Sequence, residues 1–393
     1  MQTCSLTLRT GVWGSCGGTK VLPFNKPANK RFPFKDYTVR ARIRCGLRAS
    51  IAKHMKLRLS REDTILGKIA ESARPPSKKR AKLASLPLGI GDDAALFHPL
   101  PGHETVLTCD WFLEGTHFLR HKHPPDSIGW KCLARAMSDV AAMGGVPRCF
   151  LLSLALPTSL TGRWLDDFLG GLRRASRKFQ CVLAGGDTTR RDQILINVTV
   201  VGEVRKRRAL SRSGAHPGDF LYVSGRLGEA ELGLRLLQLS KVRVNSADPL
   251  VRKHLYPEPR LALGQWLAGK RLATAMMDLS DGLSSDLPRL CAASGVGARL
   301  LASQIPGAQL PIRNRKGGAD PLQPALHGGD DYELLFTIPA DRRKMVPRSF
   351  RGVPLTQIGI ITFEQKIVLV DENARELPLP PRGWDPFRLH QSI

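Results

Sequence analysis

Long apolar runs are missing from this sequence of 393 residues: no stretch approaches the roughly 18–20 uninterrupted apolar residues that a membrane span requires. Aromatic residues make up only 6% of the chain, which argues against the interleaved basic and aromatic surface of a nucleic-acid binder. None of the eight cysteines forms a C-x-x-C pair, so the spacing of a cysteine zinc site is absent. We therefore expect a globular protein that has neither a membrane nor a nucleic acid among its partners.

Acidic residues are almost absent from residues 1–54, where Asp36 is the one acid against eleven Lys and Arg. This segment supplies +10 of the formal net charge of +26. Its composition is that of a disordered basic extension, a leader, or sequence upstream of the true start, and these interpretations stay open. The rest of the chain remains basic, which suits anionic ligands. We expect a cytoplasmic location, with organellar targeting by residues 1–54 as the alternative.

The common nucleotide-binding motifs are missing as well. Residues 89–94 (GIGDDA) match the Rossmann glycine pattern, but no strand precedes them and no helical run follows. Residues 264–271 (GQWLAGKR) approach a P-loop, but they end in Arg and lie between a helix and a following strand. No protein-kinase H-R-D or D-F-G set and no G-x-S-x-G elbow is present. These observations exclude a Rossmann dinucleotide site, a P-loop and the α/β-hydrolase nucleophile.

Apolar periodicity predicts alternating helices and strands. Strands are expected at 106–113, 149–156, 181–184, 194–204, 220–224, 275–279, 298–302, 332–338, 357–362 and 367–370. Helices are expected within 55–74 and at 126–143, 162–179, 229–239, 260–268, 285–293 and 341–346. A stretch rich in charge, Gly and Pro interrupts the alternation and predicts a linker at 205–218. We therefore predict an α/β (α+β) fold with domains at 55–204 and 219–393.

Aspartate recurs after apolar segments and beside Gly, Ser or Thr. The instances are Asp92, Asp93, Asp110, Asp139, Asp187, Asp278, Asp281, Asp330 and Asp331. Each alone is typical of a cap or a turn, but strand ends gather at one edge of an α/β sheet and would bring several carboxylates together. Such carboxylates repel one another unless cations neutralise them, and Mg²⁺ with phosphate ligands fits that need. With Arg212 as a candidate phosphate ligand, the pattern predicts metal-assisted phosphoryl transfer or phosphate-ester chemistry.

An ordered series of motifs carries a family resemblance. It comprises LGIGDDAAL, TCDWFLEGTHF, GWKCLARAMSDVAAMGGVP, AGGDTTR, LSRSGAHPGDFLYVSG, MDLSDGLSSDL, HGGDDYELLFT and GWDPF. These motifs span residues 61–388, and the chain thereby resembles the thiamine-monophosphate kinase family, in the superfamily of aminoimidazole ribonucleotide synthetase and selenophosphate synthetase. The resemblance implies a homodimer formed through the N-terminal sheet. ATP and several Mg²⁺ ions are then expected between the domains, with phosphoryl transfer from ATP to thiamine monophosphate.

The resemblance also implies roles for individual residues. Positions that match Mg²⁺ ligands are Asp93, Thr108, Cys109, Asp110, Asp139, Asp187, Asp278 and Asp281. Positions that match nucleotide contacts are Gly186, Asp187, Arg212 and Ser280, and those that match substrate contacts are His117, Asp330 and Trp384. Cys109 stands where Thr is common, so its backbone carbonyl is the expected ligand. Asp330 stands where Glu is common, which shortens the reach by one methylene, and Asp92 is expected to shape its loop.

The implied mechanism is direct in-line transfer to a phosphate oxygen that is already nucleophilic, so no covalent nucleophile is expected. Two alternative functions are open, one with a different substrate and one of a different class of protein. One is another ATP-dependent enzyme of the same superfamily, of the cyclo-ligase type. The other is a basic nucleic-acid-binding protein, against which the low aromatic content and the concentration of charge in residues 1–54 both argue.

Overall fold

The computed structural model describes residues 61–73, 85–90, 92–239, 248–308 and 322–388. The predictions for residues 1–54 lie outside this part of the chain. Within it, no helix is both long and apolar enough to cross a bilayer. The described α-helices are α1 (Arg61–Ala73), α2 (Pro125–Ala142), α3 (Arg163–Phe179), α4 (Glu229–Leu239), α5 (Pro249–Leu255), α6 (Leu261–Gly269), α7 (Leu283–Ser294) and α8 (Leu322–His327).

The strands form two separate sheets. They are β1 (His103–Leu113), β2 (Val146–Leu156), β3 (Val182–Arg190), β4 (Leu195–Arg205), β5 (Phe220–Ser224), β6 (Met276–Leu279), β7 (Gly297–Leu301), β8 (Glu333–Ile338), β9 (Ser349–Phe350), β10 (Val353–Thr362), β11 (Ile367–Val370) and β12 (Glu376–Pro378). The first sheet has the order β1-β4-β2-β3, and the second has the order β12-β11-β7-β10-β5-β8-β6 with β9 beside β10. The mixture of helices and sheets confirms the predicted α/β (α+β) class. The linker prediction at 205–218 stays a prediction.

Most strand pairs are antiparallel, which changes the physical reason for the aspartate cluster. The parallel pairs are β2 with β3 and β7 with β11. Strand ends at one sheet edge therefore do not gather the aspartates, although several of them do line one cavity, as expected. Asp110 and Asp187 also lie inside β1 and β3 rather than after them. The carboxylates that do converge come from both sheets and from the helix between them.

Helix α2 is that helix. Thirteen of its 18 residues are buried, because it packs against α3 and the first sheet on one side and against α6 and β6 on the other. Close approach to α3 requires glycine at the crossing: a Cβ on Gly129 would overlap the Phe168 carbonyl oxygen, and one on Gly171 would overlap the Asp126 carbonyl oxygen. Gly129 and Gly171 thus allow α2 and α3 to pack closely at their crossing.

We predict that Gly171→Ala lowers the free energy of unfolding by about 1–3 kcal/mol, because the new methyl group forces α3 away from α2. The neighbouring Gly170 is the matched control, since a Cβ there meets nothing within 4 Å. Gly170→Ala should stabilise helix α3 by about 0.5–1 kcal/mol. Urea unfolding of both variants measures the contrast, and equal effects of the two substitutions would contradict the crossing geometry.

Candidate active site

A cavity of about 1020 Å³ lies where the two halves of the fold meet at α2. Side chains from β1 and the turn after it, from α2, from α4 and from α5 line one part of it. The loop between β6 and α7, residues 327–332 and residues 381–387 line the rest. Of the residues predicted for the site, those lining the cavity are Asp110, His117, Asp139, Asp278, Ser280, Asp281, Asp330 and Trp384. Both sequence halves therefore contribute to one cavity.

Four of these residues, Asp110, Asp139, Asp278 and Asp281, form what we call the carboxylate cluster. The pKa of Asp110 is raised to about 6, chiefly by burial; Arg135 opposes this shift, and repulsion from Asp139 and Asp281 adds to it. Burial raises the pKa of Asp278 to about 8, with repulsion from Asp139 as the next cause. The pKa of Asp139 is also raised, chiefly by burial. Burial and mutual repulsion therefore favour the protonated form of part of the cluster.

Strand alternation in β1 separates two predicted ligands. The Thr108 hydroxyl donates a hydrogen bond of 2.5 Å to Asp139 Oδ2, so it faces the carboxylate cluster. The next residue, Cys109, turns to the opposite face of the sheet, where its Sγ lies 3.3 Å from Asn197 Oδ1 and 3.4 Å from Thr199 Oγ1. The thiol of Cys109 is therefore directed away from the cluster. Its proposed action through the backbone carbonyl stays a prediction.

The loop between β6 and α7 is held by a buried carboxylate. Asp286 Oδ2 accepts hydrogen bonds from the backbone N–H groups of Ser280 at 3.1 Å, Asp281 at 3.0 Å and Gly282 at 3.1 Å. Arg289 Nη1 lies 2.6 Å from both Asp281 Oδ2 and Asp286 Oδ1. This network fixes Asp281 at the cavity.

The C-terminal segment lies across the same loop. The backbone N–H of Trp384 donates to the Asp281 carbonyl oxygen at 2.9 Å, and that of Gly383 donates to Ser285 Oγ at 3.0 Å. A Cβ on Gly383 would overlap the Asp281 carbonyl oxygen, so glycine is required for this approach. The half-buried Trp384 thereby lines the cavity, next to the highly exposed Phe387.

Asp330 is held by a second network. Its Oδ2 lies 2.8 Å from Lys131 Nζ, and its Oδ1 accepts a hydrogen bond of 2.6 Å from the Tyr332 hydroxyl. Asp330 and Tyr332 both adopt positive φ angles, 68° and 51°, which turns the chain back on itself and allows this contact. Burial disfavours the charged form of Asp330, but Lys131, His254 and Arg135 together hold its pKa well below its usual range. Asp330 is therefore a fixed anion.

His117 faces the cavity as a neutral ring. Burial, and next the positive charge of Arg135, lower its pKa to about 4. Its Nδ1 accepts a hydrogen bond of 3.0 Å from the backbone N–H of Leu113. The neutral ring therefore carries its proton on Nε2, where it serves as a hydrogen-bond donor.

Several predicted residues lie outside the cavity lining. Asp93 is exposed, and its backbone N–H donates to Asp92 Oδ1 at 2.9 Å, a contact by which Asp92 shapes the loop as expected. Gly186 and Asp187 are exposed on β3. Arg212 is exposed too, but its charge acts on Asp139. Among the described residues, no three His, Cys, Asp or Glu side chains converge closely enough to hold one metal ion by themselves.

Comparison with known proteins assigns the chain to a family. Residues 91–204 match the N-terminal domain, and residues 216–372 the C-terminal domain, of AIR synthase related protein. The thiamine-monophosphate kinase of Escherichia coli strain K12 is 37% identical over 326 residues, covering 82% of this chain and 98% of that protein. The chain belongs to the thiamine-monophosphate kinase family.

Solved structures of this family share the fold. The crystal structure of thiamine-monophosphate kinase from Stenotrophomonas maltophilia K279a is 36% identical, with a TM-score of 0.67 over 77% of this chain and 94% of that one. The structure of AaThiL complexed with AMPPCP and TMP is 34% identical, with a TM-score of 0.65 over 75% of this chain and 91% of that one. The predicted resemblance and the predicted two-domain fold are thereby confirmed.

Sequence reasoning missed the cations of this family member's cavity. Lys131 and Arg135 lie eight and four residues before Asp139 and share its stripe of α2. A charged residue at every fourth position of an otherwise apolar helix was the available signal. Tyr332 and His254 carried no comparable signal, because a positive φ angle places the first and a contact between distant helices places the second.

We predict that Lys131→Met lowers the free energy of unfolding by roughly 3 kcal/mol at neutral pH, because it leaves the half-buried anion of Asp330 without its closest cation. The substitution raises the pKa of Asp330, so the variant takes up a proton at a pH where the wild type does not. By linkage, its deficit shrinks as the pH falls through that raised pKa.

Urea unfolding of wild type and variant at neutral and at mildly acidic pH measures this change. The control is Lys178→Met, which removes an exposed ion pair of 3.5 Å with Glu258 and should have a small effect. A Lys131→Met deficit that is the same at both pH values contradicts the dependence of Asp330 on Lys131.

Proposed function

We propose that this chain is a thiamine-monophosphate kinase, which transfers the γ-phosphoryl group of ATP to thiamine monophosphate and forms thiamine diphosphate and ADP. The observation that carries the proposal is the convergence, in one cavity, of the carboxylate cluster with His117, Asp330 and Trp384. The relative bound to AMPPCP, an ATP analogue, and to TMP supports the same pair of substrates.

The carboxylate cluster fits Mg²⁺. Asp110, Asp139, Asp278 and Asp281 repel one another in a partly buried site, and Asp278 is only 4% exposed. Few of them would ligate any one ion, which suits Mg²⁺, because this ion commonly uses one or two carboxylates with water and phosphate oxygens. We propose that these four residues hold Mg²⁺ with Thr108 in support. When bound, the ions would neutralise the phosphates and align the transferred group.

The chain's own residues have separate tasks in the proposed reaction. His117 would donate a hydrogen bond from Nε2 to thiamine monophosphate. The Trp384 ring would provide an aromatic wall for the thiamine rings. Asp330 is a fixed anion opposite a substrate that carries a positively charged ring. Ser280 and Arg212 lie toward the predicted nucleotide side. The acceptor is a phosphate oxygen, so the proposed step needs positioning and charge compensation rather than a covalent nucleophile.

We predict that Asp278→Asn lowers kcat by about a hundredfold or more while the fold stays intact, since it removes one ligand and relieves repulsion in the cluster. The assay follows thiamine diphosphate formation from ATP and thiamine monophosphate, with and without Mg²⁺. Melting temperature is a second readout: Mg²⁺ with ATP should raise it less in the variant than in the wild type.

Asp341→Asn is the matched control, because Asp341 is exposed and lies far along the chain from the cluster. It should retain wild-type kcat and the wild-type response to Mg²⁺. A wild type that forms no thiamine diphosphate contradicts the proposed function. In that case other superfamily substrates, beginning with those of a cyclo-ligase, are tested on the same protein.

We also propose a homodimer formed through the first sheet. On the face of this sheet opposite α2, the side chains of Leu107 and Trp111 are 68% and 55% exposed, and Leu151 lies beside them at 38%. Three large apolar side chains on one open sheet face are typical of an interface between proteins. A second copy of the same face would cover them.

We predict that Trp111→Lys converts the dimer to a monomer, because it places a charge in the proposed apolar interface. Sedimentation velocity measures the change. The control is Phe363→Lys, which alters an even more exposed aromatic residue outside this face and should leave the dimer intact. A monomeric wild type overturns the proposal.

We finally propose that the protein works in a reducing compartment, as expected for the cytoplasm. The five described cysteines are all free thiols, and Cys132, Cys149, Cys181 and Cys291 are buried among apolar side chains. Location of the tagged full-length chain in its own cells tests this, and accumulation in an oxidising compartment contradicts it.

A further inference from the structure

Arg135 lines the cavity, but its contacts within the described part of the chain do not explain the presence of a charge there. It projects from buried α2, and its guanidinium carbon lies 5.4 Å from the centre of the Phe112 ring. Its Nε is buried without a hydrogen-bond acceptor, and no ion pair within 4.0 Å joins it to any described residue. By contrast, Lys131 has Asp330 at 2.8 Å and Arg289 has Asp281 at 2.6 Å.

A buried guanidinium N–H without an acceptor is costly, so a ligand that supplies acceptors is the expected partner. Burial lowers the pKa of Arg135, but Tyr332 and, after it, Asp330, Asp110 and Asp281 raise it, and none of these carboxylates forms an ion pair with it within 4.0 Å. The planar donor fork is therefore free. Such a fork matches the paired oxygens of a phosphate group.

The neighbours of Arg135 indicate which phosphate this is. Its guanidinium lies over the Phe112 ring, whose centre is 5.9 Å from that of the His117 ring, and Arg135 precedes Asp139 of the carboxylate cluster by one turn of α2. Arg135 thus lies between the acceptor site and the cluster, where the acceptor phosphate must meet the transferred group.

We propose that Arg135 binds the phosphate of thiamine monophosphate and is the residue by which the site distinguishes this substrate from free thiamine. The inference rests on the proposed function. It assigns the anion-binding part of acceptor recognition to α2, whereas His117 and Trp384 contact the rest of the molecule. A purely structural Arg135, serving only as a distant counter-charge to the aspartates, would not discriminate between the two ligands.

The test compares wild type with Arg135→Met, which removes the charge, and Arg135→Lys, which keeps the charge but loses the fork. Calorimetry measures the Kd of thiamine monophosphate and of thiamine for each protein, and steady-state assays measure KM for each substrate. Arg135→Met should weaken thiamine monophosphate binding by about ten- to a hundredfold. It should leave thiamine binding and the KM for ATP unchanged, and Arg135→Lys should be intermediate.

Arg163→Met is the control for general loss of positive charge, since Arg163 is 95% exposed on α3. It should preserve the preference for the phosphorylated ligand. Three results overturn the inference: an unchanged preference in Arg135→Met, an equal loss for both ligands, or an effect on ATP in place of thiamine monophosphate. Should Arg135→Met fail to fold by circular dichroism, Arg135→Lys decides between the same outcomes.

Failure of the proposed function gives a different pattern. A wild type that forms no thiamine diphosphate contradicts the kinase proposal. Titration with inorganic phosphate then still tests Arg135 directly. Weaker phosphate binding by both Arg135 variants supports an anion site at α2, and equal binding by all proteins overturns it.

Discussion

Compensation of charge on a buried helix is the constraint on which this structure depends. Helix α2 lies between two sheets and yet carries Lys131, Arg135 and Asp139 along one stripe. A charged side chain in a buried helix requires a partner that compensates its charge, and the partner differs for each of these three residues. Lys131 pairs with Asp330, Asp139 accepts a hydrogen bond from Thr108, and Arg135 is left for a ligand.

These contacts join the N-terminal and C-terminal halves of the chain. Asp330 comes from the C-terminal half and is the partner of a lysine in the N-terminal half, while Asp278 and Asp281 face Asp110 and Asp139 across the same cavity. The cavity is thus lined by carboxylates on one side and by fixed cations and a neutral histidine on another. This arrangement suits a reaction in which two phosphate groups must be brought together without a covalent intermediate.

Much of the fold followed from periodicity. The long amphipathic helices α2 and α3 and the apolar strands β1, β2 and β4 were predicted to within a few residues. The short helices α5 and α8 were missed, because each spans two turns or fewer and begins or continues through proline. Proline in these segments is typical of a turn, whereas the structure has a short helix that tertiary packing stabilises.

The sequence by itself determined the chemistry, namely which carboxylates, which histidine and which tryptophan an acid-rich, nucleophile-poor site would use. The motifs indicate these residues because each motif is a short, contiguous stretch of sequence. Only the tertiary structure decided which of those residues meet: it brought Asp278 to Asp139 and left Asp187 and the thiol of Cys109 outside. It also revealed Lys131 and Arg135. Strand alternation, positive φ angles and contacts between distant segments set these positions, and none of them is written in a local motif.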